Sequence, residues 1–421
     1  MGGVVVTGLG LVTSIGTGRP AVESSLRGLR HGFECWNDFA ELGVGPKVAA
    51  PVGGFDVSST NPAAWSWPGG HDFDPAIVRS MPPHGIYALV ALEEALKQSG
   101  LRHDELGGGE TGLACASVGS MRQLHYHLNR AEANGWHRYH PLGVVSTVAG
   151  ALNFNLAPLL GIRGASCGFV SACTSSSHAL GLAHDEIALG RQERMLVVGA
   201  EDFTIENLLP FTGMGALSLN PDPDTASRPF DRGRDGFVGT GGAAVIVLED
   251  AAAAQTRGAR PLATMLGWAQ ASDGYHTAKP HPEGEGLGRA LAKALEVSGI
   301  EPGGVDYINA HATSTQAGDL AEAIAIRRVF GAGRPQVSST KALTGHGLSL
   351  AGAMEAAISI LAIDAGFIPG QAGLVEVDPG CEHLDLPRTT REATLRVAVN
   401  SNSGFGGGNV CHVFAKPDPA P

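Results

Sequence analysis

Cys173 stands where a chain could make a nucleophile. The run Phe169-Val170-Ser171-Ala172-Cys173 is followed by Thr174, Ser175, Ser176, Ser177 and His178. The apolar approach reads as a strand, the small hydroxyl residues suit a helix start, and HALGLAHDEIAL continues with helical spacing. A cysteine at a helix N-terminus meets free amide N–H groups and the positive end of the dipole. Both favour a thiolate, and the same amides can hold a developing oxyanion. A small buried hydrophobe fits this segment equally well. Cys35, Cys115, Cys167, Cys381 and Cys411 read as such structural residues.

Two histidines stand at similar turns. Tyr307-Ile308-Asn309-Ala310-His311 reads as a strand ending at a histidine, then ATST, Gly318 and a helix. Val337 to Gly347 places Lys341 and His346 in a Gly/Thr-rich turn ahead of an apolar helix. Neutral imidazoles can donate N–H to an enolate oxygen, and a nearby lysine keeps their protonation low. Neither histidine has a closely spaced acid or cysteine in a ligand pattern, so no metal is expected. Glu355 on the apolar helix needs a partner, and Lys341 is placed to supply it. Near the C-terminus, SNSGFGGGN sets four glycines around Phe405 and leads into a strand-like VCHVFA. Such a loop lets backbone approach a ligand and lets the phenylalanine move. A phosphate-binding loop would lead into a helix instead.

The elements that must position these groups alternate between strand and helix. RMLVVG (194–199) and AAVIVL (243–248) read as buried strands, and 85–101, 289–297 and 318–330 as helices, which implies an α/β architecture. Val4 to Val6 reads as a short strand closed by Gly8 and Gly10. Residues 249–254 read as a connecting helix, and the segment after it as strand and turn again. FVSACTSSSHALGLAHDEIALG and INAHATSTQAGDLAEAIAIRRVF share a strand–turn–helix shape, a weak echo between residues 1–250 and 251–421. Residues 50–82, rich in Pro, Gly and Trp, read as an excursion on the surface or over a neighbouring subunit.

Composition bounds the rest. At about 150 residues per domain, 421 residues give two or three domains or one large fold of two halves. The 60 glycines lack a G-X-Y period, and 43% of residues are hydrophobic, which excludes collagen and low complexity. Only 17% are charged, which fits a large interior or a subunit interface. A net charge of −12 excludes a chain whose whole surface binds nucleic acid. The N-terminus has no basic n-region, and the apolar stretch 347–363 is shorter than the about 20 residues a bilayer span needs and carries Glu355. A reduced, cytoplasmic protein is expected.

VVVTGLGLVTSIG, SACTSSSHA, ASRPFDRGRDGFV, NAHATST, KALTGHGLSLAG and NSGFGGGN, in this order and nearly end to end, resemble the β-ketoacyl-acyl-carrier-protein synthases of the thiolase superfamily, in the style of the synthase I branch. The resemblance implies a five-layered αβαβα thiolase-like fold of two similar halves and a Cys173-His311-His346 triad. Cys173 would carry an acyl group, and a malonyl-carrier thioester would be decarboxylated and condensed with it. Cys173 and Phe405 would supply the oxyanion N–H groups, and Phe405 would gate the acyl pocket. Lys341 with Glu355, and Asp319 with Glu322, match supporting residues. Thr313 and Thr315 match threonines that bind a 4′-phosphopantetheine arm borne by the carrier, with no resident cofactor. The implied partners are an acidic acyl carrier protein, docked at a basic patch for which Arg79 and Arg138 are candidates, and a second copy in a homodimer. The alternative is a non-catalytic chain-length subunit of a ketosynthase heterodimer, a role that typically goes with loss of the cysteine. The chain departs from the family pattern SNSFGFGG by one missing residue, and carries Gln316 for proline and Ser349 and Leu350 for glycine and alanine. These changes put chain length and pathway, fatty acid or polyketide and polyene, in question.

Overall fold

The first strand passes straight through the two glycines expected to close it. In the computed structural model, which describes residues 3–36, 43, 45–331 and 335–417, β1 runs Val4–Thr13 and is buried throughout. Gly8 and Gly10 are there for contact. A Cβ on Gly10 would lie 1.7 Å from the carbonyl oxygen of Ala91, and one on Gly8 2.3 Å from that of Ala95, both in helix α1 (Pro83–Ser99). The glycines let a helix lie directly on the strand, so they continue it rather than end it.

The main sheet also contains β2 (Gly16–Thr17), β3 (Thr111–Ala116), β4 (Ser166–Phe169), β5 (Arg194–Glu201), β6 (Gly242–Asp250), β7 (Ala263–Ser272), β8 (Tyr307–Asn309), β9 (Gln336–Ser338), β10 (Val397–Gly404) and β11 (Gly408–Ala415). With β2 hung on β1, the path is β9-β8-β10-β11-β7-β1-β6-β5-β3-β4. It splits at the short pairing of Val4–Val6 with Ala263–Met265. On each side of that seam, counted in chain order, the strands lie first-fifth-fourth-second-third. The pairings on each side run antiparallel, antiparallel, parallel, parallel. This repeated topology is the fold's duplication, though the sequence echo paired the wrong turns. The turn carrying Cys173 follows the third strand of its half, and so does the turn carrying Lys341 and His346, whereas His311 follows the second strand. A strand–turn–helix shape is local and carries no information on strand order.

Between the halves lie α3 (Ser175–Ala188) and α7 (Ala351–Ala365), packed on each other and on both groups of strands. Outside them, α1 covers β1 and β6, while α5 (Glu285–Ser298) covers β7 and β11 and packs on α6 (Gln316–Phe330). The remaining helices used below are α2 (Met121–Asn134) and α4 (Ile205–Thr212). Residues 348–365 have the length and apolarity to cross a bilayer, yet 89% of that window is buried inside the fold. The excursion of residues 50–82 is pinned, with Val52, Val57, Trp65, Val78 and Met81 in the cluster around α1. Cys115, Cys381 and Cys411 are buried as expected, but Cys35 and Cys167 are exposed. Cys167 lies on β4, the outermost strand of the path, and Cys35 in a two-stranded ribbon, so neither has a layer over it.

Gly10→Ala drives a methyl into the backbone of α1 and is expected to destabilise the protein by about 3 kcal/mol, whereas Gly3→Ala, which meets only Ala251 Cβ at 3.6 Å, is neutral. Urea unfolding of the two variants checks this. A Gly10→Ala protein within about 0.5 kcal/mol of wild type would contradict the strand–helix contact.

Candidate active site

The turn that holds Cys173 is bent and then locked. β4 ends at Phe169, four residues before the cysteine, and α3 begins at Ser175. Ala172 takes φ 52°, a left-handed conformation that residues with a Cβ adopt only where their surroundings impose it. The hydroxyl run supplies the constraint. Thr174 Oγ1 donates to Ser171 O (2.6 Å), while Ser175 Oγ donates to Ala172 O (2.6 Å) and accepts from Ser171 N (2.8 Å). Further along, Ser176 Oγ accepts the amide of Ala353 on α7, and Ser177 Oγ donates to Asn402 on β10. Thr174 and Ser175 thus fold the turn onto itself, while Ser176 and Ser177 tie the start of α3 to α7 and to β10. Two other left-handed residues with side chains, Ser314 and Leu348, flank the histidine turns.

The two halves meet at the sulfur. His346 Nε2 lies 3.1 Å from Cys173 Sγ. The His311 and His346 rings are edge to face with centroids 5.3 Å apart. The His346 amide donates to Val238 O. The His311 and Ala312 amides donate to Glu322 (2.9 and 2.6 Å), which also accepts Ser401 Oγ. Lys341 and Glu355 form an ion pair at 2.6 Å, each side chain 1% exposed. Asn402 Nδ2 donates to the same Glu355 oxygen at 2.6 Å and lies 3.4 Å from His311 Nδ1.

Electrostatics overturn the thiolate expectation. Burial pushes the Cys173 thiol up to about 12, with Lys341 pulling it down and Glu355 and Glu201 pushing it further up. A neutral thiol therefore faces His346. Both imidazoles are held well below their usual range, first by burial and then by Lys341, with His346 adding to the effect on His311. They are neutral at pH 7, as the lysine suggested. Burial raises Glu355 and Glu322 against the pull of Lys341, and raises Asp319 to about 7 against that of Arg234.

The structure gathers Cys173, His311, His346, Lys341, Glu355 and Glu322. Asp319 sits one layer back, accepting the Phe230 amide at 2.9 Å and facing Arg234 at 3.5 Å. The Thr313 and Thr315 hydroxyls are 3.2 Å apart, and Thr313 lines a cavity of about 40 Å3 beside His311. Phe405 is 38% exposed in a turn with Gly406 and Gly407, both at positive φ. Gly404 brings that turn onto the nucleophile, since a Cβ there would lie 3.2 Å from the amide nitrogens of both Cys173 and Thr174. Ser349 turns to Glu201 (2.5 Å) and Leu350 into the central core. Arg79 and Arg138 are both exposed and apart from the gathered groups. Arg79 lines a cavity of about 400 Å3 with Arg130, His127 and His140. Among the described residues, no group of three or more His, Cys, Asp or Glu is disposed to hold a metal.

Sequence reasoning missed Asn402, although it lies inside the NSNSG run. It missed Arg234, which is buried and donates to the carbonyls of Thr315 (3.1 Å), Gln316 (2.7 Å) and Asp231 (2.9 Å) and to Asp378 (2.6 Å). Its buried charge holds the turn that presents Thr313 and Thr315, and its place in a motif of mixed charge gave no sign of that.

Comparison with known proteins finds similar chains over nearly the whole length. Residues 1–254 match the profile "Beta-ketoacyl synthase, N-terminal domain" and residues 262–375 match "Beta-ketoacyl synthase, C-terminal domain". The chain is 35% identical over 420 residues, 98% of both chains, to a 3-oxoacyl-[acyl-carrier-protein] synthase 1 of Haemophilus influenzae. A crystal structure of a β-ketoacyl synthase from Burkholderia phymatum superposes with TM-score 0.91 at 32% identity, covering 99% of this chain and 100% of that one. The ishigamide ketosynthase/chain length factor gives TM-score 0.86 at 30% identity, covering 99% of each.

A thiol held near 12 alkylates slowly at neutral pH. The rate of Cys173 modification by iodoacetamide should rise about tenfold per pH unit from 7 to 9 without levelling. Peptide mass spectrometry of the modified residue measures it. A plateau below about pH 7.5 would mean that the helix N-terminus holds a thiolate after all.

Proposed function

The chain belongs to the β-ketoacyl synthase family, and on that premise we propose that it joins an acyl group to a malonyl unit by decarboxylating Claisen condensation, with Cys173 as nucleophile. The observation that carries this reading is the neutral His346 imidazole 3.1 Å from the Cys173 thiol, with His311 beside it.

In the first half-reaction Cys173 Sγ attacks the acyl thioester carbonyl. His346 Nε2 takes the thiol proton as the S–C bond forms and keeps it, while its Nδ1 proton passes by way of solvent to the departing carrier thiolate, so that His346 ends the half-reaction neutral with its N–H at Nε2. The carbonyl oxygen, negative in the tetrahedral intermediate, is held by the amides of Cys173 and Phe405. A malonyl thioester then replaces the free carrier. Its bond to the carboxylate breaks, carbon dioxide leaves, and the electron pair becomes an enolate whose oxygen accepts N–H bonds from His311 and His346. The enolate carbon attacks the acyl-Cys173 carbonyl, and the new carbon–carbon bond releases the sulfur as a thiolate, which takes a proton from water to return to the thiol. Neutral imidazoles suit this step because they are donors that do not protonate the carbanion. Burial and Lys341, itself held by Glu355, keep them neutral, while Glu322 and Asn402 fix His311. Asp319, through Phe230 and Arg234, supports the turn behind them. Thr313 and Thr315 bind the 4′-phosphopantetheine arm, which arrives on the carrier, so no resident cofactor is needed.

The carrier protein is acidic and docks on a basic face. Arg79 and Arg138 are its candidate contacts, and the cavity that Arg79 lines adds Arg130. A second copy of the chain pairs along β4, whose outer side has no strand partner among the described residues and beside which Phe154 and Val170 are exposed. We place the boundary between halves at 250/251. The intact Cys173–His346 pair favours this reading over a non-catalytic chain-length subunit. The pathway, fatty acid or polyketide, follows from which acyl group Cys173 accepts.

Incubation with an acyl-carrier thioester should add the acyl mass to Cys173, and malonyl-carrier should then discharge it as β-ketoacyl product. Cys173→Ala should lower turnover by about four orders of magnitude or more. A Cys173→Ala variant that still condenses would overturn the assignment. Arg79→Glu with Arg130→Glu should raise KM for carrier-bound substrate about tenfold at low salt and leave KM for an acyl-coenzyme A unchanged. An equal change in both would remove these residues from docking.

A further inference from the structure

The glycine-rich Phe405 turn stands against an aromatic wall. Phe405 lies in a turn with two left-handed glycines; a Cβ on Gly406 would meet open space, while the Gly406 amide donates to Thr277 O and Gly407 packs on Asp273. Its ring centroid is 5.9 Å from that of Phe211 at 39°. Phe211 meets Phe237 edge on at 5.3 Å and 79°. Phe237 meets His346 edge on at 5.1 Å and 88°. Rings at these separations attract through their quadrupoles and hold preferred tilts, so each fixes the orientation of the next.

Phe211 and Phe237 are held by the segments that carry them. The helix bearing Phe211, α4, is capped by Thr204 Oγ1 on the Asn207 amide (3.2 Å). Asn207 is itself tied to Asp202 O at 3.1 Å. The carbonyl of Phe211 accepts the amides of Met214 and Ala216. Phe237 is 5% exposed, and its amide and carbonyl bond to Ala216 and Ser218. The result is a continuous path, Phe405 to Phe211 to Phe237 to His346 to Cys173.

We propose that Phe211 is a positioning residue, the fixed ring against which Phe405 closes, and that through Phe237 it ties the closed gate to the orientation of His346. This rests on the reading of Phe405 as a gate. Its consequence is coupling. With the gate seated, His346 points at the enolate oxygen while the acyl-Cys173 carbonyl is aligned, and the enolate carbon attacks it. Without the seat, decarboxylation can run with no acceptor aligned. The bond to the carboxylate breaks, carbon dioxide leaves, and the enolate takes a proton from water, turning malonyl-carrier into acetyl-carrier.

The test compares acetyl-carrier with β-ketoacyl-carrier formed from malonyl-carrier by wild type, Phe211→Leu, Phe211→Tyr, Phe405→Leu and the Phe211→Leu/Phe405→Leu pair, all as full-length enzyme. Phe211 is half-buried at the edge of its cluster, so leucine leaves the fold intact. Phe211→Leu should raise the ratio of acetyl to β-ketoacyl product about tenfold, and Phe211→Tyr, which keeps the ring, should restore it. The double variant should be no worse than Phe405→Leu alone, because both single changes remove one contact. If Phe405→Leu changes the ratio and Phe211→Leu does not, or if their effects multiply in the double variant, the inference fails while the gate stands. If Phe405→Leu itself changes nothing, the gate reading falls and the inference with it.

Discussion

A buried ammonium sets the character of this site. Lys341 is sealed from water against Glu355, and an ion pair at that depth is held only while both partners and their hydrogen bonds remain. Its field reaches outward. It adds to burial in holding both imidazoles below their usual range and lowers a thiol that burial would otherwise raise further. Removing either partner would strand the other charge, and the imidazoles would lose the part of their shift that Lys341 supplies while burial still acts on them.

The duplicated topology explains why these groups can meet at all. Each half sends its third strand into a turn and then into one of the two helices of the central layer. The first half places Cys173 in that turn, and the second places Lys341 and His346 in the equivalent one. The pseudo-symmetric pair α3 and α7 brings the turns face to face, while His311 arrives from the second strand of its own half. The contact is close because small residues line it. Gly352 lies where a Cβ would strike Ser177 Oγ at 2.0 Å, and Gly181 where one would strike the Trp268 ring at 2.2 Å. Part of the high glycine content thus serves layers packed close together, while many other glycines take positive φ at turns, Gly406 and Gly407 beside Phe405 among them.

Much of this was legible in the chain. Residue types at strand-to-helix turns pointed to Cys173, His311, His346 and the Lys341–Glu355 pair, since few other chemistries use that set. Apolar runs and helix stops located α1, β5, β6 and α7. What escaped depended on the third dimension. Gly8 and Gly10 looked like stops because sequence cannot show a helix lying on a strand. The thiolate expectation counted the helix dipole and not the depth of burial, and burial is the larger effect here. Cys167 looked like a core residue because its neighbours are apolar, but its strand is the last in the sheet. Asn402 and Arg234 act by reaching across elements far apart in sequence, and no local pattern records that.

The central claim is that burial and Lys341 together keep His311 and His346 neutral beside a protonated Cys173. Histidine-selective 13C NMR across pH 5.5 to 8.5 tests it directly, with His311→Gln and His346→Gln assigning the two resonances. Neither resonance should titrate in the wild-type enzyme, and in Lys341→Met both should move toward the usual imidazole range near about 6.5. Either histidine titrating near 6.5 with Lys341 in place would contradict the account.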